Sequence, residues 1–172
     1  AQVSVEAGAG IGAGFADSDY EAAGASLSTD RVALLGAADL VLRVRKPDLA
    51  DVELLKSGSI HVSFLDPFNE HALIDALKAK NISAISMEMI PRSTRSQKMD
   101  ALSSQANLAG YVMVMQAANY LPSILPMMMT PAGTLKPAKV FVIGAGVAGL
   151  QAIATAKRLG AQVTAFDTRS EV

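Results

Sequence analysis

The chain has 172 residues, a formal net charge of −1, 51% hydrophobic residues and 18% charged residues, which describes a globular protein able to bury a real core. The near-neutral charge, with no basic stripe and no interleaved aromatics, argues against nucleic acid as a partner. Without cysteine there is no disulfide framework and no thiolate zinc site, and two isolated histidines, His61 and His71, are too few for a metal centre.

In chain order, short apolar runs alternate with helical patterns. Val3 to Val5 reads as a strand, followed by the glycine-rich loop Gly8 to Gly14. That loop leads into Phe15-Ala16-Asp17 rather than into a helix, and no acid follows a second strand at the right distance, so it is expected to be a structural turn. Asp17 to Ala23 is expected to be a helix with Asp17 as N-cap, Ala25 to Leu27 a brief strand, and Thr29 the cap of a helix through Leu35. Asp39 to Val44 (strand), Leu49 to Lys56 (helix), Ser59 to Phe64 (strand), Asn69 to Lys80 (amphipathic helix) and Ile82 to Met87 (strand) continue the rhythm. Such alternation predicts a mostly parallel sheet covered on both faces. His61 lies in a strand, where imidazole could act as a catalytic acid or base, though a satisfied strand histidine is the commoner case.

From Ala101 to Leu135 there is no Asp, Glu, Lys or Arg. Gln105, Asn107, Gln116, Asn119, Pro122 and Pro126, and the lack of basic flanks, argue against a membrane span. A long helix capped by Ser103 or Ser104, running to about Tyr120 and buried on most of its circumference, is expected instead, as a linker between two domains. Met127 to Met129 then reads as core or interface filling.

The end of the chain carries the sharpest signal. Lys139 to Ile143 is an apolar β-branched run, Gly144-Ala145-Gly146-Val147-Ala148-Gly149 opens an Ala-rich helix, and Asp167 closes the next strand 18 positions after Gly149. Gly144 allows the tight turn, Gly146 lets backbone approach a pyrophosphate, and Gly149 lets the helix pack close to the sheet. Free N–H groups at the helix start favour an anion, and a carboxylate at Asp167 can accept hydrogen bonds from ribose hydroxyls. Glycine clusters also serve ordinary turns, but strand, helix and acid together give this one the context of a dinucleotide fingerprint. Asp167 favours NAD over NADP, since it repels a 2′-phosphate, with Arg169 partly offsetting that charge. The chain begins without Met and stops after the second strand of this unit, which normally has a third. It is therefore expected to be a segment of a longer protein. A missing third strand would leave Val142, Val163 and Ala165 beside an unpaired edge and residues beyond about Pro137 weakly held.

Between Met87 and the long helix lies a second constellation, Glu88 to Tyr111, dense in hydrogen-bonding groups. Composition alone leaves a ligand loop and a solvated loop with a helix cap as equal alternatives. Pro91-Arg92-x-x-Arg95-x-Gln97-x-x-Asp100-Ala-Leu-Ser103-Ser104-x-Ala-Asn107-x-x-Gly110-Tyr111, then Thr130-x-Ala-Gly133-Thr134-x-x-Pro137-Ala138-Lys139, the glycine fingerprint and Phe166-Asp167-Thr168-Arg169 resemble the NAD(H)-binding domain I of proton-translocating NAD(P) transhydrogenases, a family that shares its fold with alanine dehydrogenase. The resemblance covers most of the chain.

It implies an α/β fold with parallel sheets and flanking helices, two Rossmann-like domains joined by a long helix, both incomplete in this segment. The expected divisions are an N-terminal domain at 1–102, a linker helix and loop at 103–136, and the start of the NAD-binding domain at 137–172. It implies hydride transfer between NAD(H) here and NADP(H) on a partner domain, with Gln97 and Asp100 at the reacting end. Arg92 and Ser103 would join them there, while Gly144, Gly146, Val147, Ala148, Gly149, Asp167, Thr168 and Arg169 would hold the rest of the cofactor. Implied partners are the NADP(H)-binding domain, a membrane-spanning subunit and a second copy of the chain. The implied location is the cytoplasmic side of a bacterial inner membrane, or the matrix side of a mitochondrial one. The alternative is an alanine-dehydrogenase-like amino-acid dehydrogenase, whose catalytic Lys and His have no clear counterparts: Arg45 and Lys46 stand where its lysine would be. The longer parent is expected to be the transhydrogenase, and the segment alone is expected to be inactive, a binding or structural module without turnover. One departure is the acid in Ser63-Phe64-Leu65-Asp66-Pro67-Phe68-Asn69, where the family has bulky residues and an amide-rich run.

Overall fold

A computed structural model describes residues 1–170; the last two residues of the expected 137–172 segment lie outside the described residues. The chain divides into two compact units, Ala1–Ile90 and Pro91–Val172.

In the first unit, β1 (Ser4–Glu6) pairs in parallel with β2 (Ser26–Ser28), and β3 (Leu40–Leu42), β4 (Ile60–Ser63) and β5 (Ser83–Ser86) form a parallel sheet in that order. The crossovers are α1 (Asp17–Ala22), α2 (Arg31–Ala37), α3 (Leu49–Leu54) and α4 (His71–Ala79). The expected single sheet is thus two, and the larger one is covered on one face only. Val41, Ile82 and residues of α2 to α4, including Leu35, Val52, Leu73 and Leu77, close the covered side. On the other face Leu40, Leu42, Ile60 and Ile85 are exposed. An uninterrupted apolar run such as Leu40-Val41-Leu42 signals two buried faces, but within this unit only Val41 finds cover.

Three caps differ from expectation for one reason, the geometry of helix entry. Ala16, not Asp17, is the N-cap of α1; Asp17 enters the first turn and accepts from Gly8 N–H at 2.8 Å, tying down the glycine loop. Asp30, not Thr29, caps α2 through Ala33 N–H at 2.9 Å. Asp30 is the last extended residue before its helix, from which a side chain reaches the N3 amide, whereas at Ala16 the bond runs the other way, its own N–H donating to Asp19 Oδ2 at 2.7 Å.

The second unit holds α5 (Ala101–Tyr120), an antiparallel hairpin β6 (Met128–Thr130) and β7 (Gly133–Leu135), then β8 (Lys139–Ile143), α6 (Val147–Arg158) and β9 (Gln162–Phe166), with β8 and β9 parallel. Its core joins Val114 of α5, Leu125, and Ala152 and Ala156 of α6, with Val140 and Val163 of the sheet packed against them. Asp100, rather than Ser103 or Ser104, caps α5.

That helix is also less enclosed than its composition suggests. Only Gly110 and Val114 are buried, while Leu108, Tyr111, Val112, Met113 and Met115 face outward. Met127 and Met129 are 64% and 82% exposed, so the methionine run is not core of this unit. The apolar side of the sheet left open is likewise carried by Phe141, Ile143 and Phe166, whereas Val140 and Val163 lie against the helix core.

Candidate functional site

The glycine fingerprint lies where β8 and β9 finish, the usual place for ligands in a parallel α/β unit. The turn after β8 begins with Gly144 at φ +90°, a conformation that side chains resist. A Cβ on Gly149 would lie 2.8 Å from the Gly144 carbonyl carbon and closer still to its oxygen, so the first turn of α6 rests directly on the strand end. The first intrahelical bond runs from Leu150 N–H to Gly146 O, at 2.8 Å. The amides of Val147, Ala148 and Gly149 precede it, as the leading N–H groups of a helix do, and point out of its N-terminus.

Asp167, just past β9, is tied across this turn. Its Oδ2 accepts from Ala145 N–H at 2.7 Å and from Arg169 Nη2 at 2.9 Å, and its Oδ1 accepts from Arg169 N–H at 2.9 Å and Nε at 3.0 Å. The guanidinium of Arg169, its own amide and the Ala145 amide hold the Asp167 carboxyl well below the usual carboxylate range, so it is ionised at any physiological pH. Gly144, Asp167, Thr168 and Arg169 line a pocket of about 290 Å³ with Ile143 and Phe166. A larger depression of about 400 Å³ lies within the first unit beside the Lys46–Glu70 ion pair and takes in none of these groups.

The second group of predicted residues sits at the start of α5. After a 3₁₀ segment, Thr94–Met99, Asp100 turns its carboxylate onto Ser103: Oδ1 accepts the backbone N–H at 2.9 Å and Oδ2 accepts the hydroxyl at 2.7 Å. The Ser103 hydroxyl first, and then its amide, lower the pKa of Asp100. Arg92 Nε stands 4.0 Å from Asp100 Oδ2 with most of its side chain exposed. Gln97 is exposed and touches this group through backbone alone, its carbonyl accepting from Asp100 N–H at 3.3 Å.

Residue selection by motif therefore falls into two clusters in one unit: Gly144, Gly146, Val147, Ala148, Gly149, Asp167, Thr168 and Arg169 in the crevice, and Asp100, Ser103 and, more loosely, Arg92 at the cap. The motif passed over Ala145, whose amide fixes Asp167; its role is a backbone one, which residue type does not reveal.

A model of the alanine dehydrogenase/PNT N-terminal domain matches residues 1–109, and one of the C-terminal domain of the same family matches residues 113–172. The chain belongs to the alanine dehydrogenase/PNT family. Within that family it is 48% identical over 98% of its length to the NAD(P) transhydrogenase subunit alpha of Cereibacter sphaeroides, covering 32% of that protein. It is 43% identical over 99% of its length to the NAD(P) transhydrogenase subunit alpha of Haemophilus influenzae, covering 33% of it. Among solved structures, the transhydrogenase of Sinorhizobium meliloti superposes with a TM-score of 0.94 at 49% identity, over 99% of this chain and 51% of that one. An L-alanine dehydrogenase superposes with a TM-score of 0.86 at 31% identity, over 99% of this chain and 47% of that one. The chain thus spans about a third to a half of the relatives it matches.

In the first unit, His61 is fully buried, with Nε2 paired to Ser63 Oγ at 3.1 Å and Nδ1 without a partner among the described residues. Burial, and then the charge of Arg43, push its pKa down. Nearby, Asp51 accepts from Arg31 and Arg43 at 2.8 and 2.6 Å, and Arg31 also pairs with Glu6. Asp66, the departure noted above, takes a left-handed backbone (φ +52°), and Glu88 accepts both the Leu65 and Asp66 amides. Among the described residues no group of three or more His, Cys, Asp or Glu converges as a metal site would, and no helix is long and apolar enough to cross a membrane.

Proposed function

We propose that this chain is part of the NAD(H)-binding component of a transhydrogenase and works in direct hydride transfer to or from an NADP(H) held by another domain. The observation that carries this reading is the carboxylate of Asp167, ionised and tied across the glycine turn by Ala145 N–H, beside the open amides of α6. A fixed anion there suits ribose hydroxyls and disfavours a 2′-phosphate, which supports NAD(H) rather than NADP(H). Gly144, Gly146, Val147, Ala148 and Gly149 would hold the pyrophosphate by backbone, and Thr168 and Arg169 would flank the adenosine ribose. When bound, the nicotinamide supplies or receives the hydride. Asp100, fixed by Ser103, would orient its carboxamide, Arg92 would pair with Asp100, and exposed Gln97 would reach toward the second dinucleotide. No proton has to be moved by a side chain in such a transfer, so orientation is the main contribution asked of these residues.

The partners that follow are an NADP(H)-binding domain, a membrane-spanning subunit that would keep this component at the cytoplasmic or matrix face, and a second copy of the chain, for which the exposed apolar side of α5 gives support. Alanine dehydrogenases are the more distant relatives, at 29% and 34% identity in two examples. A full-length protein carrying this chain, mixed with its NADP(H)-binding component, should reduce an NAD analogue from NADPH. Oxidative deamination of alanine, with no such transfer, would overturn the assignment.

A further inference from the structure

The face of α5 turned from solvent runs through half-buried Ser103 and Ala106, buried Gly110 and Val114, and half-buried Ala118, spaced by three or four residues as one helix face requires. Val114 meets Ala152 and Ala156 of α6. One turn earlier, Gly110 is pressed against the first turn of α6. A Cβ there would lie 3.0 Å from Gln151 Cβ and from the Ala148 carbonyl carbon, and closer still to the Ala148 oxygen. Carbon atoms settle at about 3.5 Å or more, so any side chain at 110 would push the start of α6 by the order of an ångström. The obstacle is backbone and cannot rotate away. Ala148 is followed by Gly149, which in turn rests on Gly144. The opposite side of that helix turn is therefore as closely held as this one.

We propose that Gly110 is a positioning residue for the pyrophosphate of a bound dinucleotide: it lets α5 seat the first turn of α6 at the height from which the Val147, Ala148 and Gly149 amides can reach the phosphates. Resting on the nucleotide role proposed above, it adds a residue outside the fingerprint to the machinery of the same crevice. Hydrogen bonds to phosphate oxygens tolerate only a few tenths of an ångström before weakening, whereas the adenosine would be held by Asp167, just past β9.

The test is a set of calorimetric titrations of the full chain and its variants with NADH, ADP and adenosine, with thermal melts alongside. Gly110→Ala should weaken NADH and ADP about tenfold, the scale of one hydrogen bond to a charged group, and change adenosine by no more than about twofold. Val114→Ala loosens the same helix pair without pressing on the first turn; it should lower the melting temperature but leave NADH within about twofold. Where Gly110→Ala gives no folded protein, Gln151→Val, which adds a branch at the carbon facing Gly110, should produce the same selective loss. Unchanged NADH binding in a folded variant, an equal loss for adenosine, or a loss in Val114→Ala matching that of Gly110→Ala would overturn the proposal. Failure of the wild-type chain to bind NADH or ADP would overturn the nucleotide assignment itself and this inference with it.

Discussion

Gly146 separates a glycine needed by the fold from one needed by a ligand. Its backbone, φ −72° and ψ −166°, is open to any L-residue, and the nearest atom to an added Cβ would be Arg169 Nη2 at 3.7 Å, an ordinary contact. Replacing a glycine by alanine at a compatible position gains about 0.4–1 kcal/mol through the unfolded chain, while alanine is a poorer N-cap than glycine by an amount of similar size. Gly146→Ala should therefore leave stability within about 0.5 kcal/mol, or about 2 °C in melting temperature for a protein of this size. Its methyl would nonetheless stand on the open side of the turn, where a pyrophosphate has to approach. NADH affinity should fall at least tenfold, about 1.4 kcal/mol. Gly149→Ala gives the opposite pattern of causes: its methyl collides with the Gly144 carbonyl, an overpacking worth about 1–3 kcal/mol, so stability and binding fall together. Melts and calorimetric titrations of the two variants decide the matter. A Gly146→Ala protein that melts and binds NADH as the wild type does would mean that the turn is only a turn.

Asp100→Asn keeps a good N-cap for α5 and should slow hydride transfer in the complete system much more than it weakens NADH binding; equal losses in both, from stopped-flow rates and titrations, would contradict the orienting role. Asp51→Ala would strand Arg43 and leave Arg31 with Glu6 alone, and because both cations are partly solvated the loss should be about 1–3 kcal/mol, under that of a wholly buried pair, measurable by urea unfolding of the first unit. His61 is buried and its pKa is lowered in the folded chain, so the folded state favours the neutral ring. Its contribution is then complete above the unfolded value of about 6.5 and is lost as pH falls through the folded one. Urea midpoints should drop between pH 7.5 and 5, and His61→Phe should flatten that part of the curve.

What the sequence made legible follows from how local each signal is. β8 was readable to the residue, and α6 and β9 to within about a turn, because glycines end one element and start the next, and because the carboxylate of Asp167 completes a pattern whose spacing is fixed by one strand-helix-strand pass. Caps were readable to within a residue for α1 and α2 but missed by three or four for α5: Thr29 and Asp30, like Asp100, Ser103 and Ser104, are all good capping types, and which one acts depends on where the chain turns into the helix. The hairpin at Met128 to Leu135 escaped notice since its strands are three residues each, although Pro131-Ala132-Gly133, with Gly133 at φ +132°, carries turn chemistry. The exposure of α5 was beyond local reading. An uncharged apolar helix announces that something covers it, not that the cover belongs to the same unit. Gly110 gave no signal by itself, as the atom that forbids a side chain there lies 38 positions away in Ala148.

The helix α5 links these observations in one mechanical element. Asp100 spends one carboxylate oxygen on the Ser103 amide and the other on its hydroxyl, so the cap that starts the helix also fixes the direction of the carboxylate. Ten residues on, about 15 Å along the axis, the same helix meets the start of α6 through Gly110. The two ends of the proposed site are thereby mounted on one rigid rod, with no loop between the group that would orient the nicotinamide and the contact that seats the phosphate amides. Hydride transfer needs no acid or base from the protein, and its rate falls steeply with misplacement of the reacting rings. For such a reaction, a capped helix braced at a glycine is a better mount than a binding loop.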